Sequence, residues 1–221
     1  MKTDDVSLSS SSAIPGNGEM KASDHKGWHS RGYLPHYDSP ETVQHIVLRT
    51  LNSLPASLME RLAQDAVGRR KQVDAWLDEL HAERPLADPT CAAIVESCLK
   101  ASDQTRYRLC GWCVMPNHAH ILIEQMPGHS LGGVVKMWKM ISTHEINLAR
   151  GTTGKFWASD YFDRFMRNER DFEQTLAYIE NNPVKAGLAA TPDVWRFSSA
   201  FERSAEGVSE RAPLGALPER T

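Results

Sequence analysis

Residues 107–124, YRLCGWCVMPNHAHILIE, decide the fold. Residues 107–115 have the composition of a strand, and the Pro116-Asn117 pair that follows is a turn signal. Residues 118–124 again read as a strand, rich in β-branched and apolar side chains. The stretch therefore predicts a β-hairpin, and the remaining elements are arranged around it.

Upstream of the hairpin, residues 43–51 (VQHIVLRTL) are apolar and β-branched and predict a first strand, which Pro55 stops. Residues 57–82 carry apolar side chains at helical spacing among charges, which predicts a helix or a helix pair on the surface. Residues 90–101 predict a further amphipathic helix, with Thr90 as its cap.

Downstream of the hairpin, Ser130 is expected to cap a long helix that runs to about residue 149. Residues 155–165 are aromatic and irregular and are compatible with a short strand. A final helix is predicted from about Asn168 to Asn182, where Pro183 ends it.

This order of elements is typical of an α+β protein: a ferredoxin-like antiparallel sheet with helices on one face, plus an inserted helical segment at 57–83. Residues 1–26 are rich in Ser, Gly and Lys and are expected to form a disordered tail. We expect one domain over residues 27–200 and a flexible tail over residues 201–221.

The composition indicates an ordinary globular protein, with 41% apolar and 24% charged residues in 221. No apolar run approaches the ~20 residues of a membrane span, and the N-terminus does not resemble a signal peptide. Together with only four cysteines, this predicts a cytoplasmic location. The net charge of −3 argues against non-specific binding of nucleic acid, which usually requires a basic excess.

The hairpin also contains a candidate metal site. Side chains alternate along a strand, so His118 and His120 project to one face while Ala119 and its apolar neighbours point into the core. Two imidazoles whose backbone positions lie about 7 Å apart can converge on one divalent ion. A bare pair of surface-facing histidines is, however, more often without a ligand role.

The last helix contains a candidate nucleophile. Tyr178 and Asn182 are four residues apart and therefore share a helix face. Attack by a tyrosine on a phosphodiester requires help with deprotonation and a metal that withdraws charge from the phosphate. The Asn182 carbonyl could give that metal an oxygen ligand. The alternative is a half-buried packing tyrosine and an ordinary helix end.

Four blocks occur together in this chain: GWHSRGYLPH at 27–36, VMPNHAH at 114–120, FW at 156–157 with DYFDR at 160–164, and YIENNPVKAGL at 178–188. In this combination and order they resemble the REP-associated tyrosine transposases. These are domesticated relatives of bacterial insertion-sequence transposases with an HUH (His-hydrophobe-His) active site. The resemblance spans about residues 27–200 and implies the HUH nuclease fold.

The resemblance implies a role for each matching residue. His118, His120 and Asn182 would hold Mg²⁺ or Mn²⁺, and Tyr178 would be the single nucleophile that forms a 5′-phosphotyrosine link. The substrate would be single-stranded DNA hairpins of repetitive extragenic palindromes, which places the protein at the nucleoid. Ala119 is smaller than the usual middle residue of the triplet, but it faces the core and should not touch the metal.

The resemblance also suggests where DNA is contacted. The N-terminal block could read bases by hydrogen bonding and stacking, and two cations elsewhere could bind phosphates. The candidates for DNA binding are His29, Arg31, Tyr33, His36, Lys139 and Arg164. For the charged ones, a solvated surface position is an equally good explanation.

Two rival functions remain open from the sequence. The histidines could activate water in a metal-dependent phosphodiesterase with a purely structural Tyr178, or the chain could be a catalytically idle regulator that binds hairpin DNA. We expect a monomer, since the domesticated relatives are expected to keep the tyrosine and the histidines in one chain, but a dimer is compatible with the sequence. The cysteines, including the Cys110-x-x-Cys113 pair, are expected to be buried thiols rather than zinc ligands.

Overall fold

The computed structural model describes residues 25–30, 35–54, 76 and 83–207. Short 3-10 turns occupy Pro85–Ala87 and Pro192–Val194. The strands and α-helices of the described residues are, in chain order, β1 (Gly27–Ser30), β2 (Pro35–Asp38), β3 (Val43–Arg49), α1 (Pro89–Lys100), β4 (Tyr107–Met115), β5 (His118–Gln125), α2 (Leu131–Arg150), β6 (Phe162–Phe165), α3 (Glu169–Lys185) and α4 (Ser199–Ala205).

The predicted hairpin is the centre of the fold. Strands β4 and β5 pair in antiparallel register from Met115 opposite His118 to Tyr107 opposite Gln125. Strand β3 pairs with the other side of β5, and β6 pairs with β3, which gives a four-stranded antiparallel sheet in the order β4-β5-β3-β6. Strands β1 and β2 form a separate two-stranded sheet. The predicted α+β class with an antiparallel sheet is confirmed.

Helices cover both faces of the sheet, which corrects the prediction of helices on one face. Side chains such as Ile46, Val114 and Ile121 share one core cluster with residues of α1 and α2. Their strand neighbours, among them Cys113 and Leu122, pack instead with residues of α3 in a second cluster. Because neighbours along a strand point to opposite faces, α3 lies on the face opposite α1 and α2.

The helix starts are set by caps, two of them at predicted positions. The Ser130 hydroxyl accepts from Gly133 N at the start of α2, and the Asn168 side chain accepts from Asp171 N at the start of α3. Helix α1 is capped by Asp88, whose carboxylate accepts from Thr90 N, so the predicted cap at Thr90 is wrong. Each cap satisfies a donor that has no partner within its own helix.

Helix α3 does not end at Asn182 as predicted but continues through Pro183 to Lys185. Proline removes the N–H that would bond the carbonyl of Ile179. The Asn182 side-chain amide donates to Ile179 O at 3.4 Å and to Tyr178 O at 3.0 Å. A side chain thus replaces the missing backbone donor, and the last turn survives the proline.

The predicted domain limits need one correction. Residues 201–205 were expected to begin a flexible tail, but they belong to helix α4, which Ser198 caps by accepting from Phe201 N. Ion pairs of Arg203 with Glu180 and of Glu202 with Lys100 hold this helix to the domain. Residues 1–24 and 208–221 of the predicted tails lie outside the described residues, as does the predicted insert at 57–83 apart from Trp76 and Glu83.

Within the described part of the chain, no helix is long and apolar enough to cross a membrane.

The four cysteines are free thiols, of which Cys91 and Cys113 are buried, as predicted, and Cys98 and Cys110 are half-buried. A bulge between Leu109 and Gly111 resets the alternation of β4. Cys110 and Cys113 therefore both pack against the α3-side cluster, although three residues separate them. Burial raises the pKa of the Cys110 thiol to about 12, which disfavours the thiolate that metal binding requires.

Gly111 lets α3 approach the sheet closely, and this generates a first prediction. A Cβ at this position would lie 2.3 Å from the buried Leu176 Cδ1. We expect Gly111→Ala to lower the free energy of unfolding by about 1–3 kcal/mol, because α3 or Leu176 must shift. Urea denaturation measures this loss.

The matched control is the double variant Gly111→Ala with Leu176→Ala, in which the added methyl group has space. We expect the double variant to be more stable than the sum of the two single losses implies, by roughly 1 kcal/mol. Strictly additive losses would show that Gly111 does not set the distance between the helix and the sheet.

Candidate active site

The His118 and His120 side chains meet on the α3 face of the sheet. Their Nε2 atoms are 3.0 Å apart and their ring planes cross at 85°. The predicted alternation is confirmed, because Ala119 packs in the opposite core cluster. The histidines are not surface-facing, however, since both have 0% exposure.

The spacing of the two Nε2 atoms suits a shared ion. Two nitrogens that bind one metal at right angles, with bonds of about 2.1 Å, lie about 3.0 Å apart. Burial lowers the pKa of His118 to about 3, so this ring is neutral near pH 7. A neutral imidazole has the lone pair that a metal ligand needs.

Each histidine of the pair is held by a polar neighbour at its other nitrogen. His118 Nδ1 lies 2.7 Å from Asn117 Oδ1, in the turn between the strands. His120 Nδ1 lies 3.0 Å from His45 Nε2, on strand β3. Carbonyl-type oxygens only accept, so His118 donates through Nδ1 and keeps its Nε2 lone pair.

Helix α3 brings Tyr178 beside His120. The half-buried Tyr178 ring lies 5.7 Å from the His120 ring and 6.2 Å from the His45 ring, centroid to centroid. Asn182 is one turn further along and has 0% exposure. Its Oδ1 is buried and has no hydrogen-bond partner among the residues that the structure describes.

The orphaned Asn182 oxygen supports its predicted role as a ligand. A buried polar atom without a partner costs free energy, unless something absent from a bare protein structure satisfies it. An amide oxygen is a donor type that Mg²⁺ and Mn²⁺ accept. The residues present therefore fit a divalent ion bound by two nitrogens and one oxygen.

Helix α3 is held in place at both ends. Near its start, Arg164 on β6 bonds both carboxylate oxygens of Asp171 at 2.8 Å and Thr175 Oγ1 at 2.8 Å. Further along, the buried Glu180 accepts from Ser199 Oγ at 2.7 Å and pairs with Arg203 at 2.5 Å. Tyr178 lies between these two attachments, so its position over the histidines is fixed.

Of the predicted DNA contacts, His36 is corrected. It has 0% exposure, hydrogen bonds Asp163 through Nδ1 and Asp160 through Nε2, and stacks on Tyr161 at 4.4 Å. Burial by itself would lower its pKa, but the hydrogen bonds and charges of the two carboxylates raise it to about 9. His36 is therefore a buried cation that joins β2 to β6 and to the segment before it, and it cannot reach a base.

The other predicted DNA contacts differ in how many hydrogen bonds and ion pairs they make within the protein. Lys139 Nζ donates to the carbonyls of Ala158, Ser159 and Asp160 at 2.9–3.2 Å, and burial lowers its pKa to about 8. Arg164 is bound by Asp171 as described above. His29 is half-buried on β1, with its ring 5.7 Å from that of His36. Arg31 and Tyr33 lie outside the described residues.

Two neighbours of the site were missed by the sequence reasoning. His45 was treated as part of an apolar strand, although an ionisable residue in VQHIVLR is unusual enough to be noticed. Lys185 belongs to the YIENNPVKAGL block, but no role was predicted for it. Its Nζ lies 4.0 Å from the centroid of the Tyr178 ring. Its i+7 spacing from Tyr178 places it two turns along the same helix face.

An antiparallel sheet that carries a His-x-His pair next to a helix with a tyrosine is the arrangement that the resemblance to the HUH single-tyrosine transposases implies. The family model described as "Transposase IS200 like" matches residues 83–182. This region of the chain is therefore similar to the IS200-like transposases.

One relative is similar to about half of the chain. The chain is 25% identical over 113 residues to a REP-associated tyrosine transposase of Escherichia coli strain K12. This alignment covers 50% of the chain and 64% of the relative, so less than two thirds of the relative's length is matched.

One solved structure shows the same fold. A REP-associated tyrosine transposase bound to a REP hairpin superposes with a TM-score of 0.54 at 16% identity, covering 84% of this chain and 93% of that one. A candidate transposase from Deinococcus radiodurans reaches a TM-score of 0.39 at 19% identity, covering 70% and 96% of the two chains. The second superposition is too weak to add to the argument.

The buried His36 cation generates a prediction about pH. Because its folded pKa of about 9 exceeds the unfolded value of about 6.5, its stabilising contribution is complete below pH 6.5. This contribution is lost as the pH rises through 9. We expect the free energy of unfolding to fall by on the order of 2 kcal/mol between pH 6.5 and pH 9.5.

Urea denaturation at both pH values tests this, with His36→Gln expected to remove most of the decrease. His144→Gln is the control, because His144 is exposed on α2 and should leave the decrease unchanged. An equal decrease in His36→Gln would mean that another group carries it.

Proposed function

We propose that this protein is a single-stranded DNA endonuclease and strand transferase that cleaves and rejoins hairpin-forming repetitive extragenic palindromes through a 5′-phosphotyrosine intermediate. The observation that carries the proposal is the position of Tyr178, whose ring lies 5.7 Å from that of His120 within the same chain. The similarity to a transposase family model and the REP hairpin bound to the solved structure of similar fold support the choice of substrate. Such an enzyme would act at the nucleoid.

The chemistry follows from the groups that meet at this site. The Tyr178 phenol loses its proton and its oxygen attacks the scissile phosphorus, so that a P–O bond to tyrosine forms. The bond from phosphorus to the 3′ oxygen breaks, and that oxygen leaves as a 3′-hydroxyl after taking up a proton. Rejoining runs in reverse with another 3′-hydroxyl, and no external energy source is needed because the phosphotyrosine ester conserves the bond.

His118, His120 and the Asn182 oxygen are the residues that would hold Mg²⁺ or Mn²⁺. When bound, such an ion withdraws charge from the phosphate as a Lewis acid. The protein contributes two imidazoles fixed by Asn117 and His45. It also contributes a face from which α3 excludes bulk water, since both imidazoles have 0% exposure.

A cation at the site and a lysine-lined cavity on the α2 side of the sheet could guide the DNA strand. Lys185 lies over the Tyr178 ring at 4.0 Å, where its ammonium can meet a phosphate next to the one attacked. A surface cavity of about 690 Å³ between α2 and residues 154–161 is lined by Lys136, Lys139 and Lys155 together with aromatic rings. With a net charge of −3, the protein must bind DNA through local patches of this kind.

The arrangement also favours a monomer as the catalytic unit. The tyrosine and both histidines meet within one chain, so no helix from a partner subunit is needed to complete the set.

The half-buried position of Tyr178 fits a hairpin with unpaired nucleotides as the substrate rather than a duplex. An unpaired strand can bend into such a site more easily than a duplex can.

The decisive variant is Tyr178→Phe, which removes one oxygen. We expect it to bind labelled REP hairpins from the source genome within about threefold of the wild-type protein. It should lose Mn²⁺-dependent cleavage by at least about a thousandfold, because the nucleophile itself is missing. A denaturing gel with 5′- and 3′-labelled DNA should also show no protein-linked fragment.

Tyr37→Phe is the matched control, since Tyr37 is another half-buried tyrosine outside the site, and it should retain full activity. Cleavage that persists in Tyr178→Phe would identify a hydrolase that uses water. Hairpin binding without any cleavage by the wild-type protein, over a full range of Mn²⁺ concentrations, would identify a catalytically idle binding protein.

A further inference from the structure

A third histidine continues the His118–His120 pair into the next strand. His45 lies on β3 with 1% exposure, and its Nε2 is 3.0 Å from His120 Nδ1. The two rings are tilted by only 30°, with centroids 5.2 Å apart. In the β3–β5 register, His45 is opposite Leu122 and Val47 is opposite His120, so the contact between the histidines runs diagonally across the ladder.

The structure therefore contains an unbroken chain of hydrogen-bonding groups from Asn117 through His118 and His120 to His45. Its links are 2.7 Å, 3.0 Å and 3.0 Å long. A neutral imidazole donates with one nitrogen and accepts with the other. The proton arrangement along such a chain is therefore determined once one end is fixed, and Asn117 fixes it by accepting from His118.

Without an ion, this chain has one consistent arrangement. His118 carries its proton on Nδ1, so its Nε2 must accept from His120 Nε2–H. His120 Nδ1 is then an acceptor, and His45 must donate to it through Nε2–H. Every nitrogen between Asn117 and His45 is satisfied, which a fully buried set of polar groups requires.

With an ion between the two Nε2 atoms, the arrangement has to change. Both Nε2 atoms must present lone pairs, so the proton of His120 has to be on Nδ1. His45 Nε2 must then accept rather than donate, with the proton of His45 on its Nδ1. Only a partner that can both donate and accept at this position serves both states.

We propose that His45 is a positioning residue that orients His120 toward the ion and exchanges a hydrogen-bonding role with it when the ion binds. The inference rests on the proposed function insofar as it assumes that His118 and His120 are metal ligands. It assigns to His45 a role that neither the motif nor the family region at residues 83–182 covers. Loss of such an outer partner typically weakens metal binding by 10–100-fold.

Two variants separate positioning from packing. His45→Phe keeps a planar ring of similar volume but has no nitrogen, so His120 Nδ1 loses its partner in both states. His45→Gln keeps an amide that can accept through its oxygen or donate through its nitrogen. Gln44→Leu is the matched control, because Gln44 is the next residue on β3, has 0% exposure, and points to the other face, where it donates to Tyr37 O.

The measurement is Mn²⁺ binding to the whole chain without DNA. Binding is detected through the loss of the electron paramagnetic resonance signal of free Mn²⁺. We expect a dissociation constant about 10–100-fold higher in His45→Phe. His45→Gln and Gln44→Leu should both stay within about threefold of wild type. Circular dichroism and thermal melting would confirm that all variants are folded.

A second readout reports the protons directly. Long-range ¹H–¹⁵N correlation spectra of the histidine side chains distinguish the two tautomers. We expect the wild-type His120 to carry its proton on Nε2 in the free protein and on Nδ1 with saturating Mg²⁺. A His120 that keeps one tautomer in both conditions would overturn the exchange.

The outcomes separate this inference from the proposed function. Equal Mn²⁺ affinity in wild type and His45→Phe would overturn the role of His45, whether or not hairpins are cleaved. The expected pattern of affinities in a protein that cleaves no hairpin would uphold the role of His45 and overturn the proposed function. A wild-type protein that binds no Mn²⁺ would overturn both.

Discussion

The close approach of helix α3 to strand β4 at Gly111 is the contact on which the rest of the site depends. Gly111 has no side chain, and Leu176 fills the space that a Cβ would need. The helix therefore lies directly on the β4–β5 surface, with Tyr178 over His120. A larger residue at Gly111 would displace Leu176 or the helix that carries it, and α3 also carries Tyr178.

That packing determines the chemistry of the histidines as well as their position. Burial favours the neutral form of an imidazole, which is why the pKa of His118 falls to about 3. A neutral ring keeps the lone pair that an ion would bind, but burial also removes water as a hydrogen-bond partner. Each ring nitrogen must then be satisfied by the protein, and Asn117 and His45 serve this purpose. His120 Nδ1 thus needs a partner from the protein because the packing of α3 on the sheet excludes water, and His45 is that partner.

The sequence predicted the local features of this arrangement and missed those that depend on packing between distant segments. Alternation along β5 and the four-residue spacing in α3 are local rules, so they placed His118, His120, Tyr178 and Asn182 on the correct faces. The burial of the histidines was missed because it depends on α3 crossing the opposite face of the sheet. His36 was misassigned for a similar reason, since its partners Asp160 and Asp163 follow it by more than 120 residues.

Pro183 shows how a feature that predicts a helix end can instead prepare a ligand. Proline leaves the carbonyl of Ile179 without its usual donor, and the Asn182 side chain supplies one through Nδ2. The same nitrogen also bonds Tyr178 O, so the nitrogen end of the amide is held against the helix backbone. Because oxygen and nitrogen diverge from the same amide carbon, this contact directs Oδ1 away from the backbone carbonyls. A residue that completes the helix is thereby turned so that its one buried, unpaired atom is the atom suited to bind an ion.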